Sequence, residues 1–165
     1  MSIDFSSKSD GELDSLIANH ERKGAWGAPV LLEALAERSR RRDGGLDLDR
    51  TLDLILTTAR KRRFVTYKDV AAQSERPWEK VRWKVFEHLG TLCLREHARN
   101  GVKPSVMVVT EGERETGRLD GETLAGFERI CLVIDPNERL RGQALVDRER
   151  AALWGWLGVG ADDVV

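Results

Sequence analysis

The chain has 165 residues, 41% of them hydrophobic and 33% charged, with a formal net charge of −1. That length and composition suit one globular domain with a real core and exclude an intrinsically disordered chain. No apolar run approaches the ~20 residues of a membrane-spanning helix, and Met1-Ser-Ile-Asp-Phe lacks a basic stretch followed by an apolar one, so neither a membrane partner nor a signal peptide is expected.

Ser9 opens a Ser-Asp-Gly-Glu stretch, which predicts a capping box with Glu12. The helix behind it places Leu13, Leu16, Ile17 and His20 on one face and stops near Lys23-Gly24. Trp26-Gly27-Ala28 reads as a connector. Pro29 suits the first turn of a second helix, with Val30, Leu31, Leu35 and Arg38 at helical spacing. That helix ends in Arg38, Arg40, Arg41 and Arg42 before Gly44-Gly45. Cations there oppose the negative end of the helix dipole, or alternatively contact phosphates. A third helix, capped by Asp47 or Asp49, carries the stripe Leu48, Leu52, Ile55, Leu56 and Ala59, and it ends in Arg60-Lys61-Arg62-Arg63.

Phe64-Val65-Thr66 reads as a short strand, and Thr66 caps a helix from Tyr67 to Gln73. Ser74-Glu75-Arg76 is a turn, and Pro77 starts a fourth helix from Trp78 to about Ala98, with a break possible at Gly90. A short helix, a tight turn and a longer helix make a helix–turn–helix pattern. On the fourth helix Trp78, Val81, Val85, Leu89 and Leu92 share one apolar arc, while Lys80, Trp83, Lys84 and Glu87 lie opposite. Leu94 falls outside the arc and predicts a bend at Gly90 or another contact surface. A Trp on the polar side stacks on a base, fills a partner's pocket, or packs on the N-terminal helices of its own chain.

Asn100-Gly101 is a turn signal, and Pro104 to Thr110 reads as a strand of a β-wing whose return strand begins at Arg118-Leu119. A helix from Thr123 into Leu132, a turn at Asp135-Pro136-Asn137 and a last helix from about Ala144 to Leu157 follow, the last burying Leu145, Leu153 and Trp154 or Trp156. Residues from Gly158 onward are expected to fray. The predicted class is α+β, mostly α: one domain with a helical extension over 1–45, a winged helix–turn–helix core over 46–122 and a C-terminal helical segment over 123–165.

Charge is unevenly spread. Residues 1–37 carry a net of −4, residues 60–103 carry 12 basic and 5 acidic side chains for a net of +7, and residues 111–149 carry a net of −4. The positive segment coincides with the helix–turn–helix, and such local fields steer polyanions even on a near-neutral protein. The expected nucleic-acid contacts are Arg60, Arg62, Arg63 and Lys68 to phosphates, with Arg76, Lys80, Trp83 and Lys84 approaching a groove. Cys93 and His97 are spaced i, i+4 behind His88, but a zinc site needs at least three ligands and no third is evident, so no metal is expected. No nucleophile elbow, phosphate-cradling glycine loop or His-Glu-x-x-His run occurs, and Asp120-Gly-Glu122 reads as a turn, so no catalytic residue and no cofactor are assigned. Cys93 and Cys131 sit in apolar contexts and predict buried free thiols of a cytoplasmic protein.

Phe64-Val-Thr-Tyr-Lys-Asp-Val-Ala71 resembles the stretch that opens the helix–turn–helix in alkylguanine-DNA alkyltransferases and alkyltransferase-like proteins, where the pattern is Val/Thr-x-Tyr-Gly-x-x-Ala. Lys103-Pro-Ser-Val-Met-Val-Val109 is similar in placement to the family's Pro-Cys-His-Arg-Val-Val segment. The resemblance implies a winged-helix shape and DNA contact through the second helix. Ser105 stands where the family has its acceptor cysteine, Val106 and Met107 replace its His and Arg, and Lys68 replaces its Gly, so the family's alkyl transfer is not implied. The expected function is that of a non-enzymatic DNA-binding winged-helix protein, regulatory (for instance in transcription) or of phage or mobile-element origin. The alternative is a protein-interaction adaptor, homodimeric or with another protein partner, that uses the same fold without nucleic acid.

Overall fold

The computed structural model of the chain describes residues 3–25, 27–42 and 44–160. Helix α1 (Asp10–Arg22) begins with the predicted capping box: Ser9 Oγ accepts from the Glu12 amide at 3.1 Å, and Glu12 Oε2 accepts from the Ser9 amide at 2.8 Å. Helix α2 (Pro29–Arg42) packs against it. Together they bury Phe5, Leu13, Ile17, Leu31, Ala34 and Leu35 as a small core of their own. Burying a side chain of this kind contributes roughly 1.5–3 kcal/mol. Leu94, misplaced on its own helix, packs into this second core, so the helical hairpin is the extra contact surface that Leu94 predicted. The connector residue Trp26 and the last five residues of the expected fraying tail lie outside the described residues.

The main core starts with α3 (Leu48–Arg60), whose N-cap Asp47 accepts from the Arg50 amide at 2.9 Å. Strand β1 (Val65–Thr66) leads into α4 (Tyr67–Gln73), then α5 (Trp78–Val81) and α6 (Val85–Asn100). The predicted fourth helix is therefore two helices, interrupted at residues 82–84. The interruption is not at Gly90, which sits inside α6. That glycine answers a packing need instead: a Cβ there would lie 2.9 Å from Ile130 Cδ1. The C-cap Gly101 is left-handed, as the Asn-Gly pair predicts.

The segment read as a wing differs from the expectation. Pro104–Met107 is a turn of 3-10 helix, and only Val108–Val109 forms a strand, β2. It pairs with β1 in parallel, Val65 opposite Val108 and Thr66 opposite Val109, and not as an antiparallel hairpin. No return strand forms at Arg118-Leu119 among the described residues. The reason is burial: Val106, Met107, Val108 and Val109 are all at most 1% exposed, so consecutive residues face inward and the segment is interior. An exposed wing strand would alternate.

Helices α7 (Gly121–Ile134) and α8 (Gly142–Leu157) complete a mostly helical α+β fold around the two-stranded sheet. Helix α8 buries Leu145, Val146 and Leu153. Its Arg150 donates to the carbonyls of Val106 at 3.1 Å and Gly117 at 2.5 Å and lies over the Phe64 ring, which ties the 3-10 turn to the loop behind it. No described helix is long and apolar enough to cross a membrane.

Candidate nucleic-acid interface

The segment from α4 through α5 is held by local and distant bonds. Thr66 Oγ1 accepts from the Asp69 amide at 3.2 Å, and Asp69 Oδ2 accepts from the Thr66 amide at 3.0 Å, a second capping box that fixes the start of α4. Burial opposes ionisation of Asp69, but these bonds and the Arg114 guanidinium together hold its carboxyl below the usual range. The turn passes through Glu75 at φ +56°, and Ser74 Oγ accepts from the Asp47 amide at 3.0 Å, which anchors the turn to the foot of α3. On the far side, the buried His88 Nε2 and Thr51 Oγ1 share a hydrogen bond of 2.8 Å that locks α6 to α3. The framework under the exposed face is thereby rigid, which suits presentation of side chains to a ligand.

The predicted contact residues fall in two groups. Lys68, Arg76, Lys80 and Lys84 are exposed on or beside α4 and α5, together with Arg82, which sequence reasoning did not single out. Arg60 and Arg63 are exposed at the end of α3, and Arg62 is half-buried there. None of these cations forms a salt bridge among the described residues. Arg76 lies against Gly45 in the turn before α3, where a Cβ would come within 2.3 Å of its Nε. Gly45 has φ +92°, a conformation that L side chains rarely adopt, so the turn and the arginine both require glycine there. Arg62 turns back over the Trp154 ring, 4.3 Å from its centroid, and is tied to α8.

Trp83 is 79% exposed. It does not pack on the N-terminal helices; its neighbour Arg82 stacks over its ring at 4.6 Å. Beside it, Tyr67 and Phe86 pack with ring centroids 5.0 Å apart. These rings, with Trp78, Arg82, Thr110 and the Asp120–Thr123 segment, line a cleft of about 600 Å³. Burial raises the Tyr67 phenol above its ordinary value, partly offset by the Thr123 hydroxyl. The interruption at residues 82–84 ends α5 before Trp83 and restarts the helix at Val85, and Phe86 and Trp83 both border the cleft. The charge count did not reveal this aromatic cleft. The density of rings around the turn was the available signal.

Ser105 is half-buried and borders a small cavity with Tyr67 and Phe86. Its hydroxyl accepts from Cys93 Sγ at 3.0 Å. Both cysteines are buried and free of disulfides. Burial pushes the Cys93 thiol up and the Cys131 thiol to about 12, so neither is a thiolate nucleophile near neutral pH. Among the described residues no group of three His, Cys, Asp or Glu side chains is placed to hold a metal. Comparison with protein-family models, with curated proteins and with solved structures finds no match.

Proposed function

We propose that this chain is a non-enzymatic DNA-binding protein whose helix–turn–helix presents its second helix to nucleic acid. The observation that carries the reading is that Lys68, Arg76, Lys80, Arg82 and Lys84 are exposed on and beside α4 and α5 and form no salt bridge among the described residues, with Arg82 itself lining the aromatic cleft of Trp83, Phe86 and Tyr67. Cations supply sequence-independent attraction to phosphates, and rings supply stacking surface. Arg60 and Arg63 extend the positive surface at the end of α3, and Arg62 contributes from behind. A regulatory role, or a phage or mobile-element origin, fits a binder without catalytic groups, and two free buried thiols fit the cytoplasm. The test is a mobility shift on duplex DNA at low salt with micromolar protein. A shift that weakens steeply with salt and is lost in Lys80→Glu/Lys84→Glu is expected, and absence of any shift ends the reading.

A second reading rests on one observation. Asp120 and Glu122 border the aromatic cleft, which tempers its attraction for a polyanion and suits a basic, apolar protein segment. As an adaptor, the chain would form a homodimer or a complex whose affinity depends little on salt. Light scattering that shows a monomer at all concentrations removes the homodimer.

A further inference from the structure

A second cleft, of about 740 Å³, opens at the end of α3, and Lys61, Arg62, Arg63, Asp69, Arg114 and Glu115 are on its lining. Two features set Arg62 apart at its wall. Its backbone is left-handed, φ +52°, at the position after a helix where glycine is the usual residue. The chain nonetheless closes the helix there in the ordinary way, with the Arg62 amide donating to the Ala59 carbonyl at 2.9 Å and the Arg63 amide to the Thr58 carbonyl at 3.1 Å. The guanidinium lies over Trp154, whose indole donates to the same Ala59 carbonyl at 3.2 Å. In that position the Arg62 Nε is buried and has no hydrogen-bond partner among the described residues. A buried charged donor without an acceptor is costly, and native structures supply one unless a ligand does.

The surroundings specify the missing acceptor. Lys61 and Arg63 are exposed and form no salt bridge among the described residues. Asp69 is already matched, since Arg114 Nη1 lies 2.9 Å from its Oδ2. Glu115 is the remaining carboxylate on the lining, against Lys61, Arg62 and Arg63. Guanidinium forks favour a tetrahedral oxyanion that accepts several bonds at once.

We propose that this cleft binds a phosphate group, with Arg62 and Arg63 as its hydrogen-bond donors and Lys61 as a supporting cation. The site lies apart from the aromatic cleft. It shares Arg62 and Arg63 with the DNA reading but does not depend on duplex binding, because inorganic phosphate, a phosphorylated small molecule and a nucleic-acid backbone offer the same chemistry.

The experiment follows the arginine Nε–Hε resonances of the full chain by NMR. Inorganic phosphate is titrated against chloride at matched ionic strength, and then duplex DNA is added. Phosphate is expected to shift the Arg62 Nε signal saturably, and Arg63→Gln, a change at an exposed side chain, is expected to weaken saturation about tenfold or more. Arg62→Met keeps an apolar stem on Trp154 but removes that reporter, so in this variant the Arg63 Nε signal is followed, and its saturable response to phosphate is expected to be lost. Lys61 and Arg63 also offset the carbonyl end of α3, so an effect on stability alone does not count, and the readout is binding at Arg62. If duplex DNA moves the same signal and phosphate competes, the ligand is a nucleic-acid backbone. If phosphate saturates the site while DNA leaves Arg62 unmoved, the ligand is a free or small-molecule phosphate, and the cleft stands even where the DNA reading fails. If neither gives a saturable shift while DNA still binds at α5, the proposal is overturned and the DNA reading survives.

Discussion

Two arginine-rich helix ends in this chain look alike in sequence and differ in fate. At the end of α2, Arg40 and Arg41 both engage Glu37 at 2.7 Å, Arg41 reaches Asp10 at 3.0 Å, and Arg42 reaches Asp14 at 2.6 Å. Arg41 and Arg42 thereby fasten α2 to α1. At the end of α3 and along α4 and α5, Arg60, Arg63, Lys68, Arg76, Lys80 and Lys84 are exposed and find no carboxylate among the described residues. A run of cations is thus not a functional signal in itself. What matters is whether a neighbouring element brings acids to it, and the acidic α1 does so for α2. The buried pair of Lys103 and Glu149, 3.1 Å apart, is the extreme of the engaged class.

The comparison makes a general claim: removing an engaged charge costs stability and leaves binding alone, and removing an open one does the reverse. The largest effect is expected from Glu149→Ala, which strands the buried Lys103 ammonium and costs about 3–5 kcal/mol in chemical denaturation. A loss under about 1 kcal/mol would place Lys103 in contact with water. Next is Lys80→Glu/Lys84→Glu, which reverses charge on the open face. Duplex affinity is expected to fall on the order of a hundredfold with the melting temperature nearly unchanged. Trp83→Ala is expected to weaken DNA binding by about 1–3 kcal/mol if a base stacks there, again with little change in melting. An unchanged affinity would take the aromatic cleft out of the interface. The smallest effect is Arg42→Ala, an exposed pair worth about 0–1 kcal/mol of stability and nothing in binding.

Acid titration sharpens the engaged class further. Arg40 and Arg41 hold the Glu37 carboxyl at about 2 against an ordinary 4.5, and Arg148 does the same for Glu138. A carboxyl whose folded value is depressed stabilises the protein above its unfolded value, and that contribution is lost as pH falls toward the folded one. Stability is therefore expected to decline between about pH 4.5 and about pH 2, and Glu37→Gln is expected to flatten part of that decline. An identical acid profile for Glu37→Gln and the parent would mean that the pair is not formed in solution.

Local signals were legible and long-range ones were not. The Ser9–Glu12 box, the Asp47 and Thr66 caps and the Asn100-Gly101 stop all act within a few residues, so the ends of α1, α3, α4 and α6 follow from sequence. Helical spacing also put Trp83 opposite the core arc, where it is exposed. The interruption at residues 82–84 was missed because the glycine at position 90 offered a more obvious weak point, yet its role is to admit Ile130 from α7. The parallel pairing of β1 with β2 joins segments more than forty residues apart, which no local pattern specifies. The cleft was missed for the same reason: Tyr67 and Phe86 meet only after the turn folds back, and Asp120–Thr123 arrives from the start of α7. Of the expected contact residues, Arg62 is the one whose position alters its part, since it is held against Trp154 and partly withdrawn from solvent.

The most direct test of the central claim is the affinity of the full chain for duplex DNA, measured by fluorescence anisotropy at stepped salt concentrations, for the parent and for Lys80→Ala and Arg42→Ala. The account predicts that log affinity falls linearly with log salt, that Lys80→Ala makes the slope shallower by about one, and that Arg42→Ala leaves it unchanged. No binding at low salt, or an affinity indifferent to salt and to Lys80, would contradict it.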